Sequence, residues 1–454
     1  MGYAKYYPEN SEHFLFVKIE NNFIEHTTND RIKDFVLNYL LEKNEISVYE
    51  LVARDKQVFS ENYLSQLTTI EIPFIDDGKD FAMLYFKNIA VKVMSNKIET
   101  IDYLNLDGML WKHHIIDRNY KASKHEGSLF DLFLDKVTET SERKLALMGA
   151  MGYLMHSYKT RSNNKAIILN DQQISENPNG GSGKGLIFDA ISRIKNTYKI
   201  DGKLFSFDKS FIFQSVNIET QVLVFDDVQK NFKFENLFSL ITEGITLEKK
   251  NKDAIRQNVE RSPKIGITTN YTIGGTGGSY ERRKYEVELS GYFNERHTPE
   301  DEFGKMLFEG FTVAEWVEFD NLMISCIQEY LQSGFRSVVY QNMRDKKLIK
   351  DTCFEFWEWA TEYIEFNKRY RRVDLYLQFV EAYPDWSDKG KYKLSHKAFN
   401  KWVDCYVLYS GVQLKNYRDN GNREIELYKE DLAPVYKDYT EPQTDFNFPE
   451  EPPF

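Results

Sequence analysis

Over the first 125 positions, short apolar runs alternate with polar turns. HFLFVKI (13–19) reads as a strand, Asp30 to Leu41 as a short helix, and AMLYF with IAVKVM (82–94) as a hairpin turning at Lys87-Asn88. These elements predict an α+β domain over 1–125. The period then lengthens. Behind Ser141, which should cap a helix, Leu147, Met148, Met151, Leu154 and Met155 recur on one side, and a helical collar is expected over 126–164. From 165 to 300 the apolar runs lose their alternation. AIIL (166–169), QVLVF (221–225) and KIGIT (264–268) suit parallel strands covered on both faces. A helix with Leu186, Ile187, Ala190, Ile191 and Ile194 inward should lie between the first two, giving an α/β layered core. Charged helices follow over 301–390, with Glu315–Leu331 and Cys353–Phe366 as the clearest. Over 391–437 a lysine-bearing helix precedes two strand-like runs around DNGN, the outline of a winged helix or of another small α+β cap. Residues 438–454 are acidic and proline-rich, and disorder is expected there.

Composition narrows the classes. The chain has 454 residues, of which 41% are hydrophobic and 28% charged, ordinary for a globular protein. A net charge of −11 means that any nucleic acid must be met by locally clustered basic residues. Cys326, Cys353 and Cys405 are far apart, which fits a reducing cytosol and argues against a zinc site. His113 and His114, if on a strand, would face opposite sides, and Asp76-Asp77 in IDDGKD reads as a solvated turn. No run is long and apolar enough to span a membrane and none reads as a signal peptide, so a cytoplasmic protein is expected.

The chemistry concentrates in ENPNGGSGK (176–184). Gly180, Gly181 and Gly183 let the backbone curl with its N–H groups towards one hollow, and Lys184 adds a charge for the outer phosphates. Asn179, Ser182 and Gly185 complete the candidate loop. The P-loop pattern departs at Pro178 and at Gly185, where a serine or threonine would carry the Mg²⁺-facing hydroxyl, so a Gly-rich turn before a helix is the alternative. Seven or so residues separate Leu169 from the loop, which reads as an insertion, DQQISENP. QVLVFDD brings Asp226 and Asp227 to a strand end, one to hold Mg²⁺ and one to polarise water. KIGITTN brings Asn270 to the next strand end, within reach of a γ-phosphate, and Arg282 and Arg283 follow before a further strand. Between them lies a hairpin-like segment whose tip, Lys249, Lys250, Asn251 and Lys252, could meet DNA phosphates or could be a solvated turn.

The order of GSGK, VLVFDD, EGITLEKKNKDA and PKIGITTN resembles the superfamily 3 helicases of the AAA+ class, including the primase-helicases of poxviruses, phages and plasmids. The resemblance covers roughly 165–290 by motif. It implies a hexameric ring that hydrolyses ATP with Mg²⁺ and moves along single-stranded or forked DNA in replication of a phage or mobile element. It further implies that Arg283, or Arg282, acts on a neighbouring subunit's nucleotide and that the hairpin lysines grip DNA. Two other classes stay open: a nucleotide-gated DNA-loading or assembly ATPase, which Gly185 motivates, and a small-molecule phosphotransferase. The ending TDFNFPEEPPF resembles the acidic tails of bacterial single-stranded-DNA-binding proteins, which implies docking of a primase, polymerase or other replication protein; a solubilising end is the alternative.

Overall fold

The computed structural model describes residues 2–9, 11–55, 57–172, 181–207, 212–230, 232–248, 250, 254–273, 278–387, 389–419 and 422–428. Two compact units divide the chain, Met1–Met343 and Arg344–Phe454.

The first unit opens with two small sheets. One orders the strands Thr69–Ile70, Gly2–Tyr6, Leu15–Glu20, Phe23–His26 and Leu110–Trp111; the other orders Ile98–Ile101, Ala90–Met94, Phe81–Phe86 and Ile115–Ile116. The expected strand, helix and hairpin of 1–125 are all present, the helix as Asn29–Glu42. The adjacent histidines differ from expectation. Lys112–His114 is a 3₁₀ turn and not a strand, so both rings face Glu219: His113 Nδ1 lies 2.6 Å from its carboxylate and His114 Nε2 lies 2.9 Å from its backbone oxygen.

Helices α1 (Leu129–Thr138) and α2 (Ser141–Met155) come next. The cap of α2 is Thr140, one residue before the expected Ser141, because its hydroxyl is the one that accepts the Arg143 N–H, at 3.3 Å. The methionine stripe is also wider than expected. Every residue from Ala146 to Met155 is buried, since α2 is enclosed by α1, the sheet and the later helix α4 (Val313–Ser333). Gly152 permits this enclosure, because a Cβ there would run into the Cys326 carbonyl of α4.

The central sheet has five strands: β1 (Ala166–Asp171), β2 (Thr197–Asp201), β3 (Val222–Val228), β4 (Lys264–Thr269) and β5 (Lys284–Leu289), in the order β5-β1-β4-β3-β2, all parallel. Its side chains divide cleanly by face. Ile167, Leu169, Val222, Val224, Val287 and Leu289 pack on α1, α2, α4 and the helix α3 (Lys184–Ser192). Ala166, Ile168, Leu223, Phe225, Ile265 and Ile267 pack on the opposite layer with Leu237 and Ile241. Both faces are covered, which is why these runs are apolar at every position.

The second unit runs helix Phe354–Tyr363, strand Lys368–Arg371, helices Arg372–Ala382 and His396–Ser410, and strands Gln413–Asp419 and Asn422–Tyr428. The last strand pairs antiparallel with both others. Phe356, Trp359, Phe379, Phe399, Ile425 and Leu427 form its core. Lys397 and Lys401 are exposed. The acidic tail, 438–454, lies outside the described residues. No helix among the described residues is long and apolar enough to cross a membrane.

Candidate active site

The site is assembled at the carboxyl ends of β1, β3 and β4. From β1 the chain leaves towards the edge strand β2, whereas from β4 it passes β1 to reach β5. Loops that leave neighbouring strands in opposite directions open a crevice at those strand ends, where ligands of parallel sheets bind.

Lys184 begins α3 at this crevice. Gly183 precedes it with φ +92°, and Gly181 has φ +106°. These left-handed conformations suit glycine, and at Gly183 a Cβ would also stand 2.7 Å from the Phe133 ring. The Lys184 side chain is nearly enclosed. Its ammonium pairs with the Asp171 carboxylate and donates to the Asn270 side-chain oxygen. Ser182 donates its hydroxyl to the same Asp171 carboxylate. Burial pushes the Lys184 pKa down, and the carboxylates of Asp171, Asp227 and Asp226 partly restore it. The ammonium therefore feels all three acids. Next to Asp171, Asn170 is buried, and its side-chain Nδ2 has no hydrogen-bond partner among the described residues.

A β-bulge sets the two aspartates. In the β3–β4 ladder Phe225 opposes Ile267 and Val228 opposes Thr269, so Asp226 and Asp227 share the single partner Thr268. Thr268 serves both: its hydroxyl donates to Asp226 Oδ1 at 2.6 Å and accepts the Asp227 N–H at 2.7 Å. Asp227 takes φ +56°, and Lys203 Nζ lies 2.5 Å from its Oδ2. On an unbulged strand the two carboxylates would alternate between faces; here both act on Lys184.

Gly181, Ser182, Gly183, Lys184, Asp226, Asp227 and Asn270 thus meet at one edge. Asn179 and Gly180 lie outside the described residues. Gly185 is exposed on α3, and a Cβ there would have nothing within 4 Å. Arg282 and Arg283 sit at the opposite end of the sheet, since the Arg283 carbonyl accepts from Ala166 at the start of β1. Five residues of strand separate that end from Asp171, about 16 Å. They are not part of the same chain's crevice. Arg282 is exposed, while the Arg283 guanidinium stacks 4.6 Å over Phe238 and donates to the Ser279 carbonyl at 2.9 Å. The hairpin is present as Ile245–Leu247 paired antiparallel with Ile255–Gln257. Lys250 is exposed; Lys249, Asn251 and Lys252 lie outside the described residues. Arg256 is exposed on the returning arm opposite Thr246.

Asp171 is the residue that sequence reasoning missed. In the sequence it opens the insertion-like DQQISENP, yet it is the last residue of β1 and the acidic partner of the loop lysine. An acid directly after AIILN, at the end of an apolar strand, is the signal that was available. The crevice suits a polyphosphate: glycines with left-handed φ, a helix N-terminus and a buried ammonium whose present partner is a carboxylate. A divalent ion would have Asp226 as its protein ligand and take phosphate and water for the rest, because no group of three His, Cys, Asp or Glu is placed to hold a metal among the described residues.

A family of unknown function, DUF5906, matches residues 177–283, the segment from the glycine loop to Arg283. No curated protein matches the chain. Among solved structures, the A form apo structure of the NrS-1 C terminal region is 13% identical, covering 77% of this chain and 96% of that one, with a TM-score of 0.34. The X-ray structure of JCV helicase is 11% identical, covering 52% of this chain and 67% of that one, with a TM-score of 0.22.

Proposed function

We propose that the chain is an ATP-dependent DNA helicase of the superfamily 3 type, acting in replication of a phage or mobile element. The observation that carries the reading is the meeting of the loop lysine, Asn270 and the Asp226-Asp227 bulge at adjacent parallel strand ends. ATP with Mg²⁺ would supply the scissile phosphoanhydride and the charge-neutralising ion. Lys184 would exchange Asp171 for the β/γ-phosphates. Asp226 would hold the metal, Asp227 would orient water, and Asn270, already on Lys184, would register the γ-phosphate. Arg282 or Arg283 could serve only another copy's phosphates, which supports a ring with sites between subunits. Lys249, Lys250, Asn251 and Lys252, which fall in sequence between the hairpin's two strands, with Arg256 on the returning strand, would grip the DNA backbone. In the second unit, the helix–strand–helix–helix–hairpin order supports a winged-helix reading. The test is strand displacement on forked duplexes with a single-stranded 3′ or 5′ arm. ATP-dependent unwinding from the 3′ arm supports the proposal; ATP hydrolysis without displacement on either substrate overturns it.

A second reading, a nucleotide-gated loading or assembly ATPase, is favoured by one observation. Gly185 leaves the metal side of the loop without a hydroxyl. Such a protein would bind ATP and turn it over slowly, with no response to DNA.

A further inference from the structure

At the other end of the sheet lies a half-open cleft of about 770 Å³ between the strand N-termini and the small sheets of the N-terminal domain. Its inner wall carries three lysines, Lys159, Lys195 and Lys264, which are only 3%, 5% and 2% exposed. Lys264 is the first residue of β4, and Lys195 stands just before β2. None of the three forms an ion pair with a carboxylate among the described residues. Instead each donates to a backbone carbonyl: Lys159 to Ser262, Lys195 to Met83 at 3.2 Å, and Lys264 to Tyr153 at 2.7 Å. An ammonium has three donors, so each keeps capacity for a ligand.

Carboxylates line the cleft too, Glu9, Glu71, Asp76, Asp77, Glu219 and Glu260, but Asp76 pairs with Arg261, Glu219 lies against His113, and Glu260 favours charge on Lys159 without an ion pair to it. Asp77 acts on Lys195 and Lys264, but its two oxygens already accept the N–H groups of Met83 at 2.7 Å and Ser157 at 2.6 Å. Asp77 is therefore no mere solvated turn residue. The cations also act on one another, since Lys159 and Lys195 both disfavour charge on Lys264. Burial, and for Lys264 its two cationic neighbours, hold all three amines below the usual lysine range, and an anion in the cleft would restore their charge. One more group lacks a partner. Gln257 lines the cleft, donates its Nε2 to Ile218 at 2.9 Å, and keeps a buried Oε1 with no partner among the described residues. Tyr6 and Trp111 supply an aromatic wall. The volume is that of a cofactor-sized site.

We propose that this cleft binds a phosphorylated small molecule of nucleotide size, its phosphates on Lys159, Lys195 and Lys264 and its organic part against Trp111 and Tyr6. Gln257 Oε1 accepts from a hydroxyl or amino group of that ligand. The cleft is lined by the hairpin's returning segment, Gln257 to Ser262, and by the N-terminal domain, so an occupant links the hairpin base to residues 1–125. The proposal stands apart from ATP hydrolysis at the glycine loop.

Binding has a protonic signature. Burial holds Lys159 down to about 7, so an arriving phosphate draws a proton onto it. The experiment uses the full chain with Lys184→Ala, which silences the glycine loop. Inorganic tripolyphosphate and ATP are titrated by calorimetry at pH 8 in two buffers of different ionisation enthalpy. One site per chain with net proton uptake is expected. Lys159→Met with Lys264→Met, in the same background and with an unchanged circular-dichroism spectrum, should weaken binding at least tenfold. Acetic-anhydride labelling of the otherwise unaltered Lys184→Ala chain, read by mass spectrometry, needs no further substitution: tripolyphosphate should protect Lys159 and Lys195. Absence of a binding site in Lys184→Ala, or protection by a single-stranded oligonucleotide and not by tripolyphosphate, overturns the proposal.

Discussion

Replacing Asp171 with asparagine separates two roles that the carboxylate could have. In the structure it occupies the position an anionic ligand would take, holding both the Lys184 ammonium and the Ser182 hydroxyl. The pair is nearly dry, with side chains 10% and 4% exposed. At a separation of about 3 Å and an effective dielectric constant of about 20, the attraction is on the order of 5 kcal/mol before desolvation is subtracted. Breaking a buried pair costs about 3–5 kcal/mol, because one charge is left uncompensated. Asparagine keeps an oxygen for Ser182, so Asp171→Asn should fall at or below the lower end of that range. A triphosphate entering the wild-type crevice must displace the carboxylate; in the variant it meets an unpaired ammonium. If about 1.4–2.8 kcal/mol of the pairing energy is recovered on binding, affinity rises roughly ten- to a hundredfold. Fluorescence anisotropy with a labelled ATP analogue, without Mg²⁺, measures that change. Thermal melts should show Asp171→Asn less stable alone and close to wild type at saturating nucleotide. Weaker nucleotide binding by a folded Asp171→Asn protein would refute the competition and make the carboxylate part of the bound state.

Three further outcomes follow from particular residues. Gly185→Ser should fold normally, with melting changed by less than about 0.5 kcal/mol in stability, because a Cβ there meets nothing within 4 Å; ATPase should then reach half-maximum at lower Mg²⁺, and superimposable Mg²⁺ titrations would mean that position 185 does not face the metal. Arg282→Ala or Arg283→Ala should keep nucleotide binding and lose hydrolysis by on the order of 10³, and mixing the inactive arginine variant with Lys184→Ala should restore activity at shared interfaces; rings that form without any restoration would end the trans assignment. Burial lowers His114 and His156 from 6.5 to about 4, so the unfolded chain takes up protons first as pH falls. Stability is full above pH 6.5 and is lost between 6.5 and about 4, by up to roughly 3 kcal/mol for His114; urea midpoints at pH 7 and pH 4.5 measure it, and His114→Gln with an unflattened acid limb would contradict the cause.

The sequence was most informative where a run is covered on both sides. AIIL, QVLVF and KIGIT were recognisable because a strand between two layers has no polar face to confuse the pattern. Asp226, Asp227 and Asn270 are legible because each lies within two residues of such a run, whereas the glycine loop is marked by its own glycines and lysine. What could not be read was geometry set by distant partners. The bulge that sets both aspartates against one residue depends on Thr268 of another strand. The enclosure of α2 depends on α4, more than 150 residues later, so periodicity alone marked one buried side. Likewise the setting of Asp77 and the three buried lysines arises only where residues 1–125 pack against the sheet; in the sequence they are scattered charges.

The central claim is that the crevice at the ends of β1, β3 and β4 hydrolyses ATP in response to DNA. Steady-state phosphate release by the full chain, with and without single-stranded DNA, measured side by side for wild type and Lys184→Ala, tests it most directly. The account predicts Mg²⁺-dependent release that DNA stimulates in the wild type and that Lys184→Ala abolishes under both conditions. Release that persists in Lys184→Ala, or a wild-type protein that hydrolyses no ATP even with DNA present, would contradict it.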